Sequence, residues 1–178
     1  RSRAKVDKRV IKLITTLPKE GHPMEWLLAG LNFAGMLCKT GNYKEDGLNV
    51  AAQMPEIVAA IYRTRSGWGK PIKSKPALGL MENFVQMMGV PGADPAKLTR
   101  LMRVFYVLHM DHGGGNLSTF VGKAVASGKS DMYASLGASM AGLYGPLHGR
   151  ANQECLEFLE KSGTHDGDKM EQFIRDEF

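Results

Sequence analysis

The sequence predicts an all-α fold. Three observations carry that prediction. Apolar residues recur three and four positions apart along nearly the whole chain, as in Val6, Val10, Leu13, Ile14 and Leu17. Strict alternation over a strand length is hard to find. Proline and glycine fall at intervals that close one helical stretch and open the next.

A first helix ends at Pro18 and Gly21, and Pro23 sits where a first-turn proline is favoured, opening a second over 24–38 ahead of the turn 39–43. The third begins near Tyr43. Pro55 lacks the amide proton that an interior position needs, so 54–65 reads as a separate helix. Residues 66–76, SGWGKPIKSKP, combine glycine, proline and lysine without periodicity and predict a mobile surface loop. A helix over 78–88 follows, then a turn, then a helix over 95–111 with Asp94 as N-cap before a first-turn proline. The second half of that helix, RVFYVLHM, has almost no polar face and predicts burial inside a helical layer or at a subunit contact. Helices over 117–126, 131–144, 150–161 and from 168 onward complete the pattern. In 131–144, Ala134, Ala138 and Gly142 share four-residue spacing, which lets two backbones approach closely, either within one subunit or between two.

Composition excludes several classes. With 178 residues and 43% hydrophobic side chains the chain is of ordinary globular make-up, long enough for one self-sufficient core. The longest uncharged run, 132–147, is shorter than the roughly 20 residues a membrane span requires, so no membrane role is expected. Cys38 and Cys155 are too few for a disulfide framework and suit a reducing compartment. The net charge of +5 is concentrated in RSRAKVDKR at the start and GKPIKSKP at 69–76, without interleaved aromatics. This argues against nucleic acid; it fits a solvated basic face or an anionic small ligand bearing phosphates or carboxylates. The chain starts at Arg1 and stops at Phe178 inside a helical pattern, as a piece of a longer protein would.

Three of the five histidines carry the candidate chemistry. His109 and His112 form an H-x-x-H pair, but no third ligand at helical spacing follows, and His109 reads better as a core histidine with both nitrogens hydrogen-bonded; no metal is expected. His112 precedes GGG and Asn116. Three glycines allow close backbone approach to a ligand, and His and Asn supply donors for a carboxylate or carbonyl; an ordinary glycine-rich turn is the plainer alternative. His148, in GPLHGRANQE, sits just before a helix. A helix N-terminus disfavours a positive charge there, so the imidazole is expected to stay neutral and donate to an oxygen that gains charge next to a carbonyl.

LHMDHGGGN, followed 36 residues after His112 by the histidine of GPLHGRANQE, resembles the citrate synthase family. LPKEGHPMEWL and MPEIVAAIYR are similar to it as well, in the right order, so the resemblance spans essentially the whole chain. It is nearest the eukaryotic-type branch, with Gly113 in place of that branch's acidic residue. The resemblance implies a multi-helical large domain with helices packed in layers, and a homodimer that condenses acetyl-CoA with oxaloacetate to citrate and CoA without a cofactor. It implies that His148 is catalytic, that His112 and Asn116 hold oxaloacetate, and that Ser118 stands behind His148 and orients it. Arg150 occupies a variable position and receives no role. It further implies that 1–148 form most of the large domain and 149–178 the start of a truncated small one. The family's second catalytic histidine, catalytic aspartate and carboxylate-binding arginines match nothing here, and His165 lacks the flanking pattern to replace that histidine. The chain alone is therefore expected to lack useful activity. A 2-methylcitrate synthase using propionyl-CoA and a non-catalytic structural relative are the alternatives. The compartment implied is the cytoplasm in a bacterium, which is preferred, or the mitochondrial matrix in a eukaryote.

Overall fold

The computed structural model describes residues 3, 5–111 and 113–177; His112 lies outside them. Among the described residues there are nine α-helices and no strand. They are α1 (Lys8–Thr16), α2 (Pro23–Cys38), α3 (Tyr43–Arg65), α4 (Leu80–Met88), α5 (Pro95–Leu108), α6 (Leu117–Ser127), α7 (Met132–Leu143), α8 (Ala151–Ser162) and α9 (Gly167–Glu177).

Helix starts follow the expected chemistry. Asp7, Asn42, Asp94 and Asp131 each accept a backbone N–H of the first turn through their side chains. His22 does the same for α2, where Glu25 completes a capping box. The core is built on α2, which packs against α1, α3 and α7. Val10, Ile14, Trp26, Leu31, Ile57 and Tyr133 are buried in it. At the α2–α7 crossing, Gly35 lies so close to Tyr133 that a Cβ there would stand 2.6 Å from the tyrosine Cβ. Burial pushes the Tyr133 phenol up to about 12.

Pro55 does not break the chain into two helices as expected: α3 runs unbroken from Tyr43 to Arg65. The carbonyl that loses its donor belongs to Ala51, which is exposed and open to water, while buried Val50, Gln53 and Ile57 seat the helix on both sides of the proline. Helix α5 ends at Leu108 rather than at 111 and buries no residue within this chain, which rules against the helical-layer alternative and leaves that of a subunit contact. Leu101, Val104, Phe105 and Leu108 all lie on the surface. In α7, Gly142 does meet a neighbouring backbone, that of Ser118 in α6, whereas Ala134 faces outward.

The segment expected to be mobile is pinned. Arg63, only 8% exposed, donates to four backbone carbonyls, those of Trp68, Lys70, Met88 and Gly89. Asn83 holds the far end through Ser74 at 2.7 Å and the Lys75 amide at 2.9 Å. Replacing Arg63 by methionine keeps the bulk but strands those acceptors. The expected cost is about 2 to 4 kcal/mol, a Tm lowered by roughly 5 to 15 °C in a chain of this length, with new tryptic cleavage at Lys73. Arg65→Met, which removes two contacts to the exposed turn at Lys19 and Gly21, should cost less in the same melt.

Candidate active site

His148 and Ser118 are 30 residues apart in sequence and meet in space. The meeting depends on how 145–150 fold. The His148 and Arg150 amides both donate to the Gly145 carbonyl, at 3.0 and 3.3 Å, turning the chain back over the end of α7. Gly149 fills a gap that admits no side chain, since a Cβ would lie 2.5 Å from Leu143 Cδ1 and 2.6 Å from its carbonyl oxygen. The imidazole is thereby laid against the first turn of α6, with Nε2 2.9 Å from Ser118 Oγ and 3.3 Å from the Ser118 amide nitrogen.

These contacts fix the tautomer. A backbone amide can only donate, so Nε2 carries the lone pair and the ring proton sits on Nδ1. The Ser118 amide is one of the first-turn N–H groups of α6 that have no partner within the helix, and the Asn116 side chain, at the N-cap, makes no capping bond to it. His148 therefore caps α6 from outside. The sequence reading placed the imidazole at the N-terminus of α8; it does precede α8, but the helix start it touches is that of α6. Ser118 is buried at 3% exposure, so its hydroxyl is held in place.

Asn116 opens α6 at the same end. Gly113 has φ of 63°, in the left-handed region, where an acidic residue would be strained; its amide is held by Asp111 Oδ1 at 3.1 Å. His112, expected to hold oxaloacetate, lies outside the described residues. His109 is not the core histidine expected: it is exposed at the end of α5, stacked on Phe105 with centroids 4.1 Å apart, and its Nδ1 bonds the Phe105 carbonyl at 2.7 Å. Among the described residues no group of three or more His, Cys, Asp and Glu side chains is placed to hold a metal ion.

Two residues given no role from the sequence adjoin this site. His22 Nδ1 accepts the Met24 amide at 3.1 Å, and its Nε2 meets Gln153 Oε1 of α8 at 3.1 Å. Arg150 lies over the Tyr144 ring at 5.5 Å and bonds Glu154 at 3.1 Å. With His109 and Asp111 they line a cleft of about 810 Å³. In the sequence His22 stands inside LPKEGHPMEWL and before Pro23 and Glu25, which reads as a helix start within a family-like segment but not as a contact to α8.

The helical architecture and the family resemblance of the sequence agree with comparison to known proteins. The family model described as "Citrate synthase, C-terminal domain" matches residues 1–178. The chain belongs to the citrate synthase family. Mitochondrial citrate synthase of Daucus carota is 35% identical over 184 residues, covering 96% of this chain and 38% of the carrot protein. Among solved structures, citrate synthase of Pyrobaculum aerophilum aligns with a TM-score of 0.76 and 30% identity over 90% of this chain and 43% of its own. That of Thermotoga maritima aligns with a TM-score of 0.78 and 28% identity over 98% and 45%. The chain thus spans well under half the length of these citrate synthases. No helix among the described residues is long and apolar enough to cross a membrane.

Proposed function

We propose that the protein carrying these residues condenses acetyl-CoA with oxaloacetate, and that residues 1–178 supply part of its catalytic set. The observation that carries this reading is the His148 imidazole, held by Ser118 and the start of α6 with its ring proton on Nδ1. That proton is placed to be donated to the acetyl carbonyl while a carboxylate from outside these residues removes a methyl proton. The enolate carbon then attacks the ketone carbon of oxaloacetate, and water cleaves the citryl thioester to give citrate and CoA. His112 and Asn116 hold oxaloacetate in this scheme, and no cofactor takes part. Residues 1–148 form most of the domain that carries the site, and 149–178 begin the one that closes on it. Two copies pair through the exposed apolar side of α5. The two free cysteines suit the mitochondrial matrix of a eukaryote or the cytoplasm of a bacterium.

Thiol release from acetyl-CoA and oxaloacetate tests the reading. The 178-residue chain alone should release no thiol above background, because its set lacks the general base. The longer protein that contains it should turn over acetyl-CoA with kcat/KM about tenfold or more above propionyl-CoA, the scale set by one methylene in an apolar pocket. Preference for propionyl-CoA would assign a 2-methylcitrate synthase. No turnover of either would leave a structural relative.

A further inference from the structure

The turn that presents His148, residues 145–150, runs between Tyr144, which closes α7, and Arg150, which opens α8. One side chain from a distant part of the sequence touches both sides of it. His22, the N-cap of α2, lies against the Tyr144 ring with centroids 4.8 Å apart, and its Nε2 is 3.1 Å from Oε1 of Gln153 in α8. Arg150 lies over the same tyrosine ring at 5.5 Å and is tied to Glu154 at 3.1 Å, so Tyr144 meets both α2 and the residue that opens α8. Helix α8 buries none of its residues, so contacts of this kind rather than core packing set its place.

The hydrogen bonds run in one direction. The Met24 amide can only donate, at 3.1 Å to His22 Nδ1, so the imidazole proton sits on Nε2 and is donated to Gln153 Oε1. The nitrogen of the Gln153 amide in turn donates to Glu157 at 2.7 Å, which leaves its oxygen for His22. A helix cap needs only an acceptor, and Asp or Asn supplies it at α1, α3, α5 and α7. The imidazole at α2 adds a donor on its far edge and an aromatic face, and both are used. We propose that His22 is a positioning residue for His148: from α2 it clamps Tyr144 and Gln153, closing the base of the turn and holding the His148 imidazole against Ser118 with its proton on Nδ1. The effect on rate rests on the reaction proposed above, whereas the effect on the His148 tautomer does not. A misplacement of about 1 Å can cost about 100-fold in rate. The bonds of the turn to the Gly145 carbonyl remain without His22, so the expected loss is about tenfold.

His22→Asn separates the two roles of this side chain. Asparagine caps a helix well, but it has no ring for Tyr144 and is too short for Gln153. Its Tm should stay within about 2 °C of the parent. In the 178-residue chain, nitrogen NMR of the histidine rings should show one bare and one protonated nitrogen at His148, and His22→Asn should draw the two signals toward each other as the tautomer is released. In the longer protein the same variant should lower kcat about tenfold with KM for both substrates within about twofold. Gln153→Met should lower kcat about threefold, and the double variant should fall no lower than His22→Asn alone. Should His22→Asn fail to fold, Gln153→Met, at an exposed position, carries the NMR test. Unchanged His148 ring signals in a folded variant, a raised KM with kcat unchanged, or additive losses in the double variant would overturn the proposal. If the His148 signals respond while the longer protein turns over no acetyl-CoA, the positioning stands and the proposed reaction falls.

Discussion

Placing a leucine at Gly35 is expected to abolish the cooperative fold, and placing an alanine there to lower Tm by roughly 2 to 8 °C. A Cβ at this position would come within 2.6 Å of Tyr133 Cβ and 2.9 Å of its Cγ. Tyr133 is 1% exposed, so its ring has nowhere to move without shifting α7 off α2. Alanine would gain about 1 kcal/mol in helix propensity over glycine, but overpacking in a closed core costs about 1 to 3 kcal/mol or more, so the net sign is destabilising. The leucine side chain multiplies the overlap and removes the gain. Thermal unfolding by circular dichroism measures both. A Gly35→Ala variant that melts at or above the parent temperature would show that α7 can slide freely, against the packing described. Because α7 also carries the 145–150 turn, loosening it should disturb His148 as well.

Replacing His148 by alanine in the longer protein is expected to lower kcat/KM about 10³-fold, the scale measured for one preorganised donor at a developing oxyanion. Most of the loss should fall on kcat, since the donated hydrogen bond strengthens as the acetyl oxygen gains charge. The structural cost should be small. The imidazole caps one amide of α6, a contribution of about 1 kcal/mol, so Tm should fall by only about 2 to 4 °C. Ser118→Ala should be milder in rate, about tenfold, because the Ser118 backbone amide still holds Nε2 at 3.3 Å after the hydroxyl has gone. If His148→Ala changed kcat/KM no more than Ser118→Ala, the histidine would be a cap of α6 and the proposed chemistry would be wrong.

The helical class was legible because burial at every third and fourth residue leaves a pattern that needs no partner to be read, and caps such as Asp94 and Asn42 sit next to the amides they satisfy. Pro55 was misread because its penalty depends on whether one carbonyl, at Ala51, reaches water. His109 was misread for a related reason, as an apolar neighbourhood in sequence became a surface in space. The motif residues of the candidate site were legible through the family resemblance, whereas their contacts were not. Nothing in GPLHGRANQE says that its histidine leans on Ser118 or that His22 touches Gln153.

The sequence by itself determined the class of fold, most helix starts and the family, and named the candidate site residues, all through local periodicity and short motifs. Only the tertiary structure decided that α6 rather than α8 presents its N-terminus to His148, that Arg63 pins the 66–76 loop, and that His22 of α2 touches both Tyr144 and Gln153. The physical reason is the same in each case. Local pattern fixes what a segment forms and which face it must bury, while the pairing of faces is set by close packing, such as Tyr133 on Gly35, between residues whose separation along the chain carries no information about it.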